Sequence, residues 1–161
     1  MQKQEKTNVM RILDQKKIEY TSYYYPVDLN NLDGRHVADS IGENYDDVYK
    51  TLVCVSSSKK YYVFVINICD ELDLKKCAKA FNEKNMEMIH VADIEKVTGG
   101  YLRGGTSPIG MKKLYPTIIS SKAIDKDYII ISGGKRGTQV KLKPTDLSNL
   151  INACFESVTH E

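Results

Sequence analysis

The chain has 161 residues, 42% of them hydrophobic and 27% charged, with a formal net charge of +2. That is enough to bury one full core and too little for several domains, so residues 1–161 read as a single unit. No run approaches the roughly 18 apolar residues of a spanning helix, and the opening MQKQEKTNVM lacks the apolar middle of a secretory signal, so no membrane partner and a cytoplasmic location are expected.

Thr7 or Asn8 can cap a first helix whose Val9, Ile12 and Leu13 share a face and which ends near Lys16 and Lys17. Ile18, Tyr20, Ser22 and Tyr24 alternate into Pro26, a strand pattern closed by the turn-forming NNLDG at 30–34. A short helix, HVADSIG, should stop at Gly42. Apolar runs at 51–55 and 61–68, separated by SSSKK, predict a hairpin. Asp73 can cap a helix carrying Leu74, Cys77, Ala78 and Phe81, and Asp93 another carrying Ile94 and Val97 that stops at Gly99 and Gly100. Residues 99–116 hold five glycines and two prolines in 18 positions, too many for one regular element, and predict a shaped loop. Strands are then expected at 115–120, 128–132 and 139–143, with GGKRG at 133–137 as a tight turn. A last helix begins at Pro144 and carries a stripe of Leu147, Leu150, Ile151, Cys154 and Phe155. With no repeat and no linker, the expectation is an α+β domain with helices around a mixed or partly closed sheet.

Cys54, Cys69, Cys77 and Cys154 are spaced 15, 8 and 77 residues apart, without a Cys-x-x-Cys pair or a neighbouring histidine, so no metal site is expected. Each falls in an apolar run or on an apolar face, which reads as a reduced core thiol. His36, His90 and His160 are scattered, and HExxH, GxSxG and GxxxxGK[ST] are all missing, which excludes the usual metalloprotease, serine hydrolase and phosphate-loop chemistries. Residues 101–143 carry nine lysines and arginines against two aspartates, a net of +7, which leaves −5 for the remainder. A phosphate-facing surface would produce this asymmetry, and so would an ordinary solvated lysine-rich one.

Two glycine-rich loops, GGTSPIG at 104–110 and SGGKRG at 132–137, can turn several N–H groups into one concavity, where a phosphate or a developing oxyanion could sit, although either also reads as a plain turn between strands. Lys112, Lys113, Lys135 and Arg136 adjoin them as candidate phosphate contacts. Lys50, in VYKTLV, opens the strongest apolar strand, where a lysine either snorkels to water or fixes a positive charge in a pocket.

The segments KTNVMRILD, VYKTLV, ELDLKKCAKA, TGGYLRGGTSPIGMKKLYPT and ISGGKRGTQVKL together resemble the YbaK/EbsC family, trans-acting editing proteins related to the editing insertion of prolyl-tRNA synthetase. The resemblance implies one YbaK-like domain, a mixed sheet curled into a partial barrel with helices around it. It also implies deacylation of mischarged tRNA, typically Cys-tRNA(Pro), at the 3′-terminal adenosine, with no cofactor. Cysteine is so close to proline in size that a synthetase pocket rejects it poorly and a second site must clear it. Lys50 matches the family's pocket lysine, which orients the terminal adenosine. Gly105 matches a glycine whose N–H faces the ester carbonyl, and Tyr25 and Thr51 match pocket positions. Gly104, Thr106, Ser107, Pro108, Ser132, Gly133 and Gly134 come with the two loops as substrate contacts. The family is thought to use the substrate's own thiol as nucleophile, which places it between hydrolases and lyases, although attack by water stays open. Gln139 stands near where some members have an acid, so Ala-tRNA(Pro) or another aminoacyl-tRNA is the alternative substrate. A non-catalytic module binding tRNA or the synthetase is the alternative from another class, and prolyl-tRNA synthetase is the partner the family implies.

Overall fold

A computed structural model of the chain describes residues 6–160. Thr7 caps α1 (Asn8–Gln15), its hydroxyl accepting from Met10 N at 3.2 Å, and the helix buries Val9, Met10 and Leu13. Strand β1 (Thr21–Tyr24) follows. The turn expected at 30–34 gives way one residue early: the Asp33 carboxylate accepts from Arg35 N, so Gly34 is already the first residue of α2 (Gly34–Ile41). A side chain at Gly34 would lie 2.5 Å from Ile68 Cγ2, so helix and strand end meet at that glycine. As predicted, α2 stops at Gly42, in the left-handed region.

β2 (Tyr49–Ser56) and β3 (Tyr61–Asn67) form the predicted hairpin, with Lys50 opposite Ile66 and Thr51 opposite Val65. Asp73 caps α3 (Leu74–Ala80), accepting from the amides of Lys75 and Lys76. The short β4 (Met86–Met88), which no sequence pattern announced, pairs with the far end of β2. A 3-10 turn at Val91–Asp93 precedes α4 (Ile94–Thr98), and Asp93 makes no side-chain cap there, contrary to expectation. The glycine-rich loop then runs to β5 (Thr117–Ser120), which starts two residues later than predicted. β6 (Ile129–Ser132) and β7 (Thr138–Leu142) flank the SGGKRG turn. α5 (Pro144–Ile151) ends where Asn152 takes a left-handed φ of 54°. Cys154 and Phe155 therefore do not extend its stripe; they belong to β8 (Cys154–Glu156) and pair in parallel with Ile118 and Ile119.

The strands make two sheets, a five-stranded mixed one in the order β4-β2-β3-β5-β8 and a three-stranded antiparallel one in the order β1-β7-β6. One parallel bridge, Val48 to Ile130, joins them, so the expected curled sheet is present and its barrel is left open. The main core packs Val9, Met10 and Leu13 of α1 and Leu147 and Ile151 of α5 against Ile119, Ile129, Ile131 and Val140. A second cluster lies under α3, where Cys54 and Cys77 are buried with Phe64 and Ile66, and half-buried Phe81 packs against them. Cys69 and Cys154 are exposed instead, because one follows β3 into a loop and the other sits on the edge strand β8. Among the described residues no helix is long and apolar enough to cross a membrane.

Candidate active site

The bridge between the sheets organises the site. Two residues beyond Val48 stands Lys50, and two beyond Ile130 stands Ser132; strand alternation puts each on the same face as its bridging neighbour. Gln139 is the cross-strand partner of both Ser132 and Tyr23 and shares that face. The half-buried Lys50 donates a long hydrogen bond, 3.5 Å, from Nζ to the Ile68 carbonyl, and its other donors meet no acceptor among the described residues. Thr51 lies on the opposite face of β2, across from Val65 of the main core. Thr51 Oγ1 and Gln139 Oε1 are the buried side-chain polar atoms without a hydrogen-bond partner among the described residues, and Gln139 is only 5% exposed. An unmet buried acceptor costs about 1–3 kcal/mol, which an incoming donor can recover.

The two glycine loops touch through their backbones. A Cβ on Gly105 would lie 2.9 Å from Arg136 N and 3.2 Å from the Lys135 carbonyl carbon. Arg136 Nε donates to Arg103 O at 2.7 Å and clamps the pair. The 132–137 turn is held from within: Ser132 Oγ accepts from Gly134 N at 3.1 Å, and Gly133 N donates to Thr138 O at 3.0 Å. Tyr25 N donates to Gly137 O at 2.9 Å, so Tyr25, half-buried, continues β1 past the turn. Leu32 packs on Gly104 as Gly34 packs on Ile68. These contacts lie two residues apart on one segment, at most about 7 Å of chain, so residues 32–34 tie the Gly104 loop to the carbonyl that holds Lys50.

Two expectations need correction. The Gly105 N–H, expected to face an ester, donates to Leu102 O at 2.9 Å and closes a turn inside its own loop. The following amides, Thr106 and Ser107, have no acceptor among the described residues, although Ser107 is fully buried and its Oγ accepts from Ile109 N. The four candidate phosphate contacts also divide. Lys135 and Arg136 stand at Gly105, whereas Lys112 packs beside Gly99 and Lys113 lines a cleft of about 130 Å³ with Ile12, Pro108 and Leu150. A larger cleft, about 310 Å³ between Phe81, Leu114, Tyr115, Ile151 and Cys154, contains none of the predicted site residues.

Sequence reasoning missed Tyr101 and Tyr23. Tyr101 donates from Oη to the Ile109 carbonyl and lies under Gly134, joining both glycine loops to α1; burial pushes its hydroxyl up to about 12. Tyr23 flanks Gln139 and donates to Glu43, and burial, with that carboxylate, raises it to about 12. Nothing in the alternation of 18–24 marks Tyr23 off from its tyrosine neighbours.

The profile of the aminoacyl-tRNA editing domain matches residues 34–150. The chain belongs to this family. The editing domain so matched takes in Lys50, both glycine loops and Gln139, and leaves α1 and Tyr25 outside. The chain is 44% identical over 156 residues, 97% of its length and 94% of the relative's, to an Enterococcus faecalis protein provisionally named Cys-tRNA(Pro)/Cys-tRNA(Cys) deacylase EbsC. Its fold resembles that of a crystal structure provisionally described as a trans-editing enzyme for prolyl-tRNA synthetase, with a TM-score of 0.80 at 17% identity over 98% of this chain and all of the other. A crystal structure described only as a hypothetical protein gives 0.86 at 14% identity, covering 96% of this chain and all of that one.

Proposed function

We propose that the chain deacylates mischarged tRNA, with Cys-tRNA(Pro) as its preferred substrate, as a single cytoplasmic editing domain that needs no cofactor. The observation that carries this reading is the grouping of Lys50, Ser132 and Gln139 on one face at the open seam between the sheets, with the Gln139 oxygen buried and unmet. A fixed ammonium there orients the terminal adenosine through its phosphate and hydroxyl, and Gln139 Oε1 accepts from a donor on the aminoacyl group. Because the Gly105 amide is engaged with Leu102, its proposed role as oxyanion donor passes to the amide of Thr106, which is half-buried and has no acceptor among the described residues.

With a cysteinyl ester the substrate supplies its own nucleophile. Its sulfur attacks the ester carbonyl carbon, the bond from that carbon to the ribose oxygen breaks, and the thiol proton passes to the departing ribose hydroxyl. The products are a cyclic thiolactone and free tRNA, with no protein nucleophile consumed. Water attacking the same carbon would give free cysteine instead.

A deacylation panel of Cys-, Ala-, Ser- and Pro-tRNA(Pro) tests the reading. Fast loss of cysteine and near-background rates for the others are expected. Preferred cleavage of the alanyl ester would move the specificity to the alternative substrate, and background rates throughout would reduce the chain to a binding module. A domain this small has little surface with which to read a whole tRNA, so prolyl-tRNA synthetase is the proposed partner; co-sedimentation of protein, synthetase and tRNA at micromolar concentration checks it.

A further inference from the structure

Residues 25–32 form a strap along both glycine loops, and its apolar side chains face water. Val27 Cγ2 would sit 3.0 Å from a Cβ on Gly137, and Leu32 lies against Gly104. Between them Leu29 is 70% exposed, and Val27 and, from the facing loop, Leu102 are 43% and 45% exposed. Leu102 is itself tied into the loop, its carbonyl accepting from Gly105 N and Thr106 Oγ1. Cations border this apolar strip: Arg103 and Arg136 are joined by the Nε to carbonyl bond, and Lys135 is exposed beside them. The acid on the strap, Asp28, is turned onto the strap's own backbone, accepting from Asn30 N, and Asp33 just beyond it is engaged as the cap of α2.

We propose that this strip is the platform for the unpaired nucleotides that precede the acylated 3′-terminal adenosine, with the apolar side chains against base faces and Arg103, Lys135 and Arg136 against the phosphates. Single-stranded nucleic acid offers a flat face at every base and a charge at every linkage, which apolar side chains set among cations can cover. Adjacency supports it: the segment borders both glycine loops, through Leu32 at Gly104 and Val27 at Gly137, where the reading seats the last nucleotide. The inference rests on the deacylase reading above and adds to it a surface that reads the nucleic acid rather than the amino acid.

The test compares cysteinyl adenosine with a cysteinylated trinucleotide ending in adenosine, on wild type, Leu29→Ser and the double variant Val27→Ser, Leu102→Ser. The wild type should favour the trinucleotide by about tenfold or more in kcat/KM. The variants should lose most of that preference through KM while cleaving cysteinyl adenosine at the wild-type rate; Leu29, being the most exposed, guards against a folding defect. Equal rates on both esters in the wild type, equal slowing of both in the variants, or a defect seen only when synthetase is added would overturn the platform, the last by making the strip a protein contact. A wild type that cleaves neither ester would instead remove the deacylase reading on which the platform depends.

Discussion

A methyl group at Gly105 would meet Arg136 N at 2.9 Å, a main-chain atom that cannot swing aside as a side chain can. Gly105→Ala should therefore push the two loops apart, with a loss of about 1–3 kcal/mol in urea denaturation and at least a tenfold drop in deacylation. Gln139 makes the opposite prediction for stability. Its oxygen is buried and unmet, so Gln139→Met, close in volume, should raise the free energy of unfolding by up to about 1 kcal/mol while slowing ester cleavage. A variant that is destabilised and fully active would make Gln139 a structural residue. Lys50 and the two glycine pairs stood out in the sequence as local anomalies, a lysine on an apolar strand and adjacent glycines, whereas Gln139 came only with the family resemblance. The engagement of the Gly105 amide was not, because it depends on how one loop folds back on Leu102.

Thr7 and Asp73 were legible as helix caps because their short side chains act within three residues, whereas Asp33 was read into a turn and caps α2 instead, and Asp93 makes no cap. Asp73→Ala should cost about 1–2 kcal/mol, read from the urea midpoint, with site activity unchanged under native conditions, because α3 packs under the second cluster. The three-residue strands β4 and β8 escaped notice: their pairing with β2 and β5 is decided by chain far away in sequence. Asn152 was the available clue for β8. Asparagine tolerates the left-handed region, and its φ of 54° ends α5 before Cys154 and Phe155, which by spacing alone fit the helical stripe. The parallel arrangement of β3, β5 and β8 and the single bridge at Val48 are likewise products of tertiary packing, and they decide which face Lys50 and Ser132 share.

For the whole molecule, burial of protonated groups sets an alkaline limit. Cys54 and Cys77 ordinarily ionise near 9.0 and Tyr49 and Tyr101 near 10.0, and burial pushes all four up to about 12. Between those values the unfolded chain has lost protons that the folded one retains, so stability should be flat below pH 9 and fall as pH rises from 9 towards 12. Urea midpoints taken across that range check the sign, and a midpoint that climbed would contradict the burial of these groups. The account as a whole turns on Lys50 at the seam between the two sheets. Its most direct test is the initial rate of ester cleavage on Cys-tRNA(Pro) by wild type and Lys50→Ala, with equilibrium binding of the uncharged tRNA measured beside it. A fall of about 100-fold or more in rate with binding held within a few-fold is the predicted result; cleavage at the wild-type rate by the alanine variant would contradict it.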